Sequence, residues 1–120
     1  MIKKKFGNPQ TSFSEKVLAL ALRIPKGRVT TYGNLARAAG GGTMASQSIT
    51  SILGKAYEKG EKGIPFHRIV YADGRVWMSD AYREKRMRLY RTEKIQLDER
   101  DRIVDFDTVV LDADELRRLK

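Results

Sequence analysis

The sequence predicts a mainly α-helical domain with a small β hairpin, arranged as a winged helix-turn-helix. Three observations carry that prediction. Apolar residues recur at helical spacing through the first half of the chain. Glycine-rich turns then separate two short helical segments, the outline of a helix-turn-helix. A β-prone run ending in Asp73-Gly74 follows, a hairpin signal of the kind that makes a wing. With 120 residues, 41% of them hydrophobic, the chain is the size of one ordinary domain with one core.

The elements follow in order. Ser12-Phe13-Ser14-Glu15 has the capping-box form, and Phe13, Val17, Leu20 and Ala21 continue it at helical spacing. A first helix is therefore expected from Ser12 to about Arg23. Pro25 and Gly27 stop it. Thr30 or Thr31 caps a second helix whose buried side is Leu35, Ala36 and Ala39, and Gly40-Gly41-Gly42 ends it. Thr43 is expected to cap a third, from Met44 to Glu58, with Ile49, Ile52, Leu53 and Ala56 inward. Ile64 to Tyr71 then reads as a strand, Asp73-Gly74 as a turn, and Arg75-Val76-Trp77-Met78 as the returning arm. Ala81 to Thr92 reads as a basic helix with a solvated face. A last short helix is expected from Ala113 to Leu119, capped by Asp112.

Composition narrows the function. Lysine and arginine number 24 against 15 acidic residues, a net charge of +9 that points to a polyanionic partner such as nucleic acid. There is no cysteine, which excludes disulfides, thiolate metal ligands and thiol nucleophiles. With His67 the only histidine, no metal site and no cofactor is expected. No apolar run has transmembrane length, so no membrane partner is expected and a soluble, intracellular protein is.

Two stretches stand out for chemistry. On the third helix, Ser46, Gln47, Ser48, Thr50 and Ser51 crowd small polar side chains into six positions. Serine and threonine are mediocre helix formers, but short polar groups let a helix backbone approach DNA. Ile64-Pro65-Phe66-His67-Arg68-Ile69-Val70, in turn, sets histidine beside arginine inside an apolar run.

Ile24-Pro25-Lys26-Gly27-Arg28-Val29-Thr30-Thr31-Tyr32-Gly33-Asn34-Leu35-Ala36, followed by that second stretch, resembles the DNA-binding domain of the O6-alkylguanine-DNA alkyltransferases. Their second motif reads Pro-Cys-His-Arg, and its cysteine accepts the alkyl group; here that position is Phe66. Replacement of the cysteine, usually by tryptophan, defines the alkyltransferase-like proteins, which the chain resembles most, over about Phe13 to Asp105. The resemblance divides the chain into a basic arm (1–11), an alkyltransferase-like winged domain (12–105) and a C-terminal tail (106–120).

The resemblance implies roles. Tyr32 matches the tyrosine that pushes on a phosphate and helps swing the target nucleotide out of the duplex. Phe66 forms the floor of the lesion pocket, beside Ile69. His67 and Glu93 match the residues that activate the cysteine, and Arg68 matches the arginine that braces the site. With no thiol to activate, His67 and Glu93 are structural, and the chain is not an alkyl-transferring enzyme. The implied partner is double-stranded DNA bearing O6-alkylguanine, bound by a monomer in the cytoplasm or nucleus and flagged to, or shielded for, excision-repair proteins. One departure stands against the family. Its recognition helix carries an arginine that fills the gap left by the flipped base. That position is Thr50 when anchored on Gly54 and Ser46 when counted from Tyr32, and no arginine occurs between Met44 and Ala56. A winged helix-turn-helix regulator that has lost lesion recognition is the alternative. An enzyme using His67 and Glu93 as acid and base is a third class, with no nucleophile to accompany them.

Overall fold

The computed structural model describes residues 12–42 and 44–120. The basic arm and Thr43, expected as a helix cap, lie outside the described residues.

Helix α1, Phe13–Leu22, starts as its sequence dictates. The Ser12 hydroxyl accepts from the Glu15 amide, and the Glu15 carboxylate accepts from the Ser12 amide. Strand β1, Val29–Thr31, leads without a loop into α2, Tyr32–Ala38, because Thr31 is both the last strand residue and the helix cap. Its hydroxyl accepts from the Asn34 amide at 3.0 Å. The third helical segment is split: Ala45–Ser48 forms a 3-10 turn and Ile49–Glu58 forms α3. The serine-rich sequence explains the tighter first turn, since short hydroxyl side chains compete with the α-helical ladder.

The sheet differs from the expected hairpin. Phe66–Arg68 is a 3-10 turn, and only Ile69–Val70 remains as β2. It pairs in parallel with β1, in the register Thr30 to Ile69 and Thr31 to Val70. The Asp73-Gly74 turn does form, with Gly74 at φ 88° and the Tyr71 amide donating to the Arg75 carbonyl. Beyond it the chain leaves β2. Val76 donates to the Asp101 carbonyl and Ile103 to that of Gly74, so the return arm lies against residues 101–103. Burial decides this: Val76 and Ile103 are 5% and 4% exposed beside Tyr90 and Ile95.

The third strand comes from the segment read as a tail. Helix α5, Phe106–Val109, leads into β3, Val110–Leu111, which pairs in parallel with the other edge of β1. The order is β2-β1-β3, and all three residues of the central strand are buried, as parallel sheets require. Alternation along the strands sends Ile69 and Leu111 to the helical side and Val29 and Val70 to the other. Helix α4, Arg83–Thr92, closes the second side, and α6, Ala113–Arg117, with its Asp112–Glu115 capping box, buries Leu116 in the first. No helix among the described residues is long and apolar enough to cross a membrane.

Candidate nucleic-acid interface

The junction between β1 and α2 holds Tyr32. Thr30 donates its hydroxyl proton to the Leu111 carbonyl at 2.7 Å, and the Asn34 side-chain amide donates to the same oxygen at 3.1 Å. Tyr32 is thereby fixed at the first residue of α2, its ring 5.7 Å from that of Tyr71. Burial, then the neighbouring Tyr71, pushes the Tyr32 phenol up from its usual range, so it stays protonated and able to donate.

Tyr32 opens onto a cavity of about 680 Å³. The 3-10 turn contributes Ser46 and Gln47, and α3 contributes Thr50 and Leu53. Phe66, Ile69, Tyr71, Trp77 and Arg86 form the rest of the wall. The volume and the mixture of aromatic faces with a few polar groups suit a small planar ligand. A second cavity of about 500 Å³ lies on the other side of Phe66, lined among others by Tyr57, Lys62, His67, Trp77, Tyr82 and Lys85. Phe66, Trp77 and Arg86 line both, so Phe66 is a partition rather than a floor.

The remaining candidates fall in three places. Ser51 faces a groove against α1 with Ser14 and Lys55, and Ser48 is exposed but lines neither aromatic cavity. His67 touches only the second cavity. Arg68 and Glu93 lie behind the wall and line neither. Glu93 accepts from the Gly27 amide at 3.0 Å, from Arg68 Nη2 at 2.7 Å and from His67 Nε2 at 2.6 Å. Arg68 also donates to the Ile24 carbonyl, and the Tyr90 hydroxyl donates to the His67 carbonyl at 2.6 Å.

Electrostatics assign the protons in this network. Burial raises the Glu93 carboxyl, but hydrogen bonds from Arg68, Gly27 and His67 outweigh it and hold the group down at about 2. An ionised carboxylate only accepts, so His67 carries its proton on Nε2. Burial also lowers the His67 imidazole, against the opposing pull of Glu93. At neutral pH the histidine is therefore an uncharged donor. Every group in the network has its partner, which is the condition for a buried charge cluster to be a rigid brace.

Residues 12–95 match the family "6-O-methylguanine DNA methyltransferase, DNA binding domain". The chain belongs to this family. Among solved structures, S. pombe Atl1 in complex with damaged DNA containing O6-carboxymethylguanine shares the fold, with a TM-score of 0.61. The match is 24% identical and covers 82% of this chain and 94% of that one. No curated protein sequence matches the chain.

Within this methyltransferase DNA-binding domain, the wall holds two residues that motif reading misses, Tyr71 and Arg86, together with Trp77, from the Trp77 to Asp80 stretch that the resemblance places near the pocket lid. Arg86 lies on the helix expected to carry a solvated basic face, yet it is only partly exposed and packs 5.0 Å over the Trp77 ring. A signal was present. Tyr82, Arg86 and Tyr90 are spaced four apart, which places them on one face of a helix.

Proposed function

We propose that this chain binds duplex DNA at an O6-alkylated guanine, takes the flipped base into the Tyr32–Phe66 cavity and leaves the alkyl group in place. The observation that carries the reading is the cavity itself. It opens along the polar side of the recognition helix, next to Tyr32, and its far wall is aromatic. The alkylated oxygen of such a guanine lies inside the stacked, paired duplex, so reading it requires extrusion of the nucleotide.

Each feature has a use on that reading. The protonated Tyr32 phenol can donate to a backbone phosphate as the nucleotide turns. Ser46, Gln47 and Thr50 offer neutral hydrogen bonds to the strand. Phe66, at the position of the family's acceptor cysteine, offers the base a stacking face instead of a nucleophile. The chain has no cysteine anywhere, so no thiol can accept the alkyl group. That Atl1 was captured on O6-carboxymethylguanine DNA supports the same ligand class here. A bound but unrepaired lesion needs a downstream consumer, and excision-repair proteins are the partners proposed.

One observation favours the second reading, a regulator without lesion recognition: no arginine lies between Met44 and Ala56 to fill the vacated stack. The two readings part on base extrusion. A duplex carrying pyrrolocytosine opposite O6-methylguanine reports loss of pairing as a fluorescence rise. Saturating protein is expected to raise the signal, and Tyr32→Ala to reduce the rise. No change on a saturated complex would rule out extrusion.

A further inference from the structure

The second cavity has a composition that the lesion reading does not use. Seven large apolar or aromatic side chains are exposed among the described residues, and three of them, Tyr57, Trp77 and Tyr82, line this one space of about 500 Å³. Exposed aromatic surface gathered in one place, rather than scattered singly, marks a binding surface. The Trp77 and Tyr82 rings stand 5.9 Å apart, tilted by 46°, and are 38% and 53% exposed.

Charge accompanies the rings. Lys62, Lys85 and Arg86 line the cavity against one acid, Glu58, and among the described residues none of the three cations makes an ion pair. Lys62 is held in place, its ammonium 3.8 Å from the centre of the Tyr57 ring and donating to the Tyr57 carbonyl at 2.9 Å. An ammonium has three donors, so it can hold an anion without giving up that bond. Lys62 and Lys85 line the second cavity and not the one beside Tyr32, so their charge is no part of the lesion site.

Exposed rings beside cations without acids suit a ligand that is planar and anionic at once. A nucleotide is the ligand of that kind that a DNA-binding domain meets. Its base must be unpaired, because in a duplex both faces of a base are covered by its neighbours. The volume suits one base with its phosphate and is too small for a protein interface.

We propose that the second cavity is a nucleotide site, separate from the lesion cavity. Trp77 and Tyr82 receive an unpaired base there, and Lys62 and Lys85 its phosphate. A single strand and a free mononucleotide offer the same chemistry.

Fluorescence of Trp77, the only tryptophan, reports occupancy. The probes are deoxyadenosine monophosphate and a short oligodeoxyadenylate, neither alkylated, so the outcome is independent of the lesion reading. Quenching by the oligonucleotide alone assigns the site to a strand, and quenching by both assigns it to free nucleotides as well. Deoxyadenosine, which lacks the phosphate, is expected to bind about tenfold more weakly than its monophosphate or the oligonucleotide. Lys62→Ala combined with Lys85→Ala is expected to lower affinity at least tenfold; both side chains are exposed, so the core is untouched. Lys55→Ala with Lys59→Ala, which removes the same charge from the groove against α1, is expected to leave it within a factor of two. Tyr82→Ala changes no charge and is expected to lower it about tenfold. Binding of neither probe would overturn the site. So would equal losses from the two lysine pairs, which would show diffuse attraction only, or an unchanged affinity in Tyr82→Ala.

Discussion

On the proposed reading Phe66 stands at the position of the family's acceptor cysteine, and it lines both of two adjoining cavities. Its ring lies 5.9 Å from that of Tyr57, edge to face, so it is held from the second cavity while lining the first. Phe66→Ala removes the stacking surface and joins the cavities. It is expected to weaken binding to O6-methylguanine DNA by about 1–3 kcal/mol, with plain DNA unaffected; parallel titrations check this. Behind it, Glu93 holds Arg68, His67 and the Gly27 amide together. Glu93→Gln leaves the Arg68 charge without its counter-ion and is expected to cost about 3–5 kcal/mol of stability, read from urea unfolding. The pH dependence has a defined sign. Glu93 is lower folded, at about 2, than its ordinary 4.5, so its contribution is complete above 4.5 and is lost as pH falls toward 2. His67 is likewise lowered from 6.5, so stability also declines as pH falls below that value. Wild-type stability is expected to fall on acidification, and Glu93→Gln to lose the part below pH 4.5.

At the scale of elements, the recognition segment divides its polar residues between two surfaces. Ser46, Gln47 and Thr50 meet the cavity with Tyr32, whereas Ser51 turns toward α1. Gln47→Ala combined with Thr50→Val is expected to reduce lesion binding several-fold, and Ser51→Ala to leave it within a factor of two, by the same titrations. Much of this was legible in the chain. The capping box set the start of α1, the threonine before Tyr32 set α2, and the motif residues Tyr32, Phe66 and Ile69 do meet in one cavity. The rest depended on contacts with no local signature. The arm after Gly74 is apolar enough for a strand, but Val76 finds its burial against Tyr90 and Ile103, and pairing follows burial. Likewise Val110-Leu111 is too short to announce a strand. It becomes one because β1 has a free edge and Leu111 and Leu116 have a core to fill. Arg86 was hidden by its basic neighbours, and only the tyrosines four residues to either side mark its face.

At the scale of the whole molecule, the C-terminal segment is part of the fold rather than an appendage. Removing residues 106–120 strips β3 from β1 and two buried leucines from the core. The truncated chain is expected to lose cooperative thermal unfolding, which calorimetry measures; an unchanged transition would show that the sheet closes without it. The net charge of +9 supplies the sequence-independent share of DNA binding, so affinity for plain duplex is expected to fall steeply with added salt. On the proposed reading, lesion recognition by the cavity is a separate contribution, and the ratio of lesion to plain affinity is expected to change little with salt, because both duplexes present the same phosphates. The central claim reduces to that ratio. Equilibrium binding to two duplexes that differ only in one O6-methyl group, near physiological salt, measures it directly. Binding to the methylated duplex tighter by tenfold or more, about 1.4 kcal/mol, is the predicted result. Equal affinity would contradict it, leaving a basic domain that binds DNA without reading the lesion.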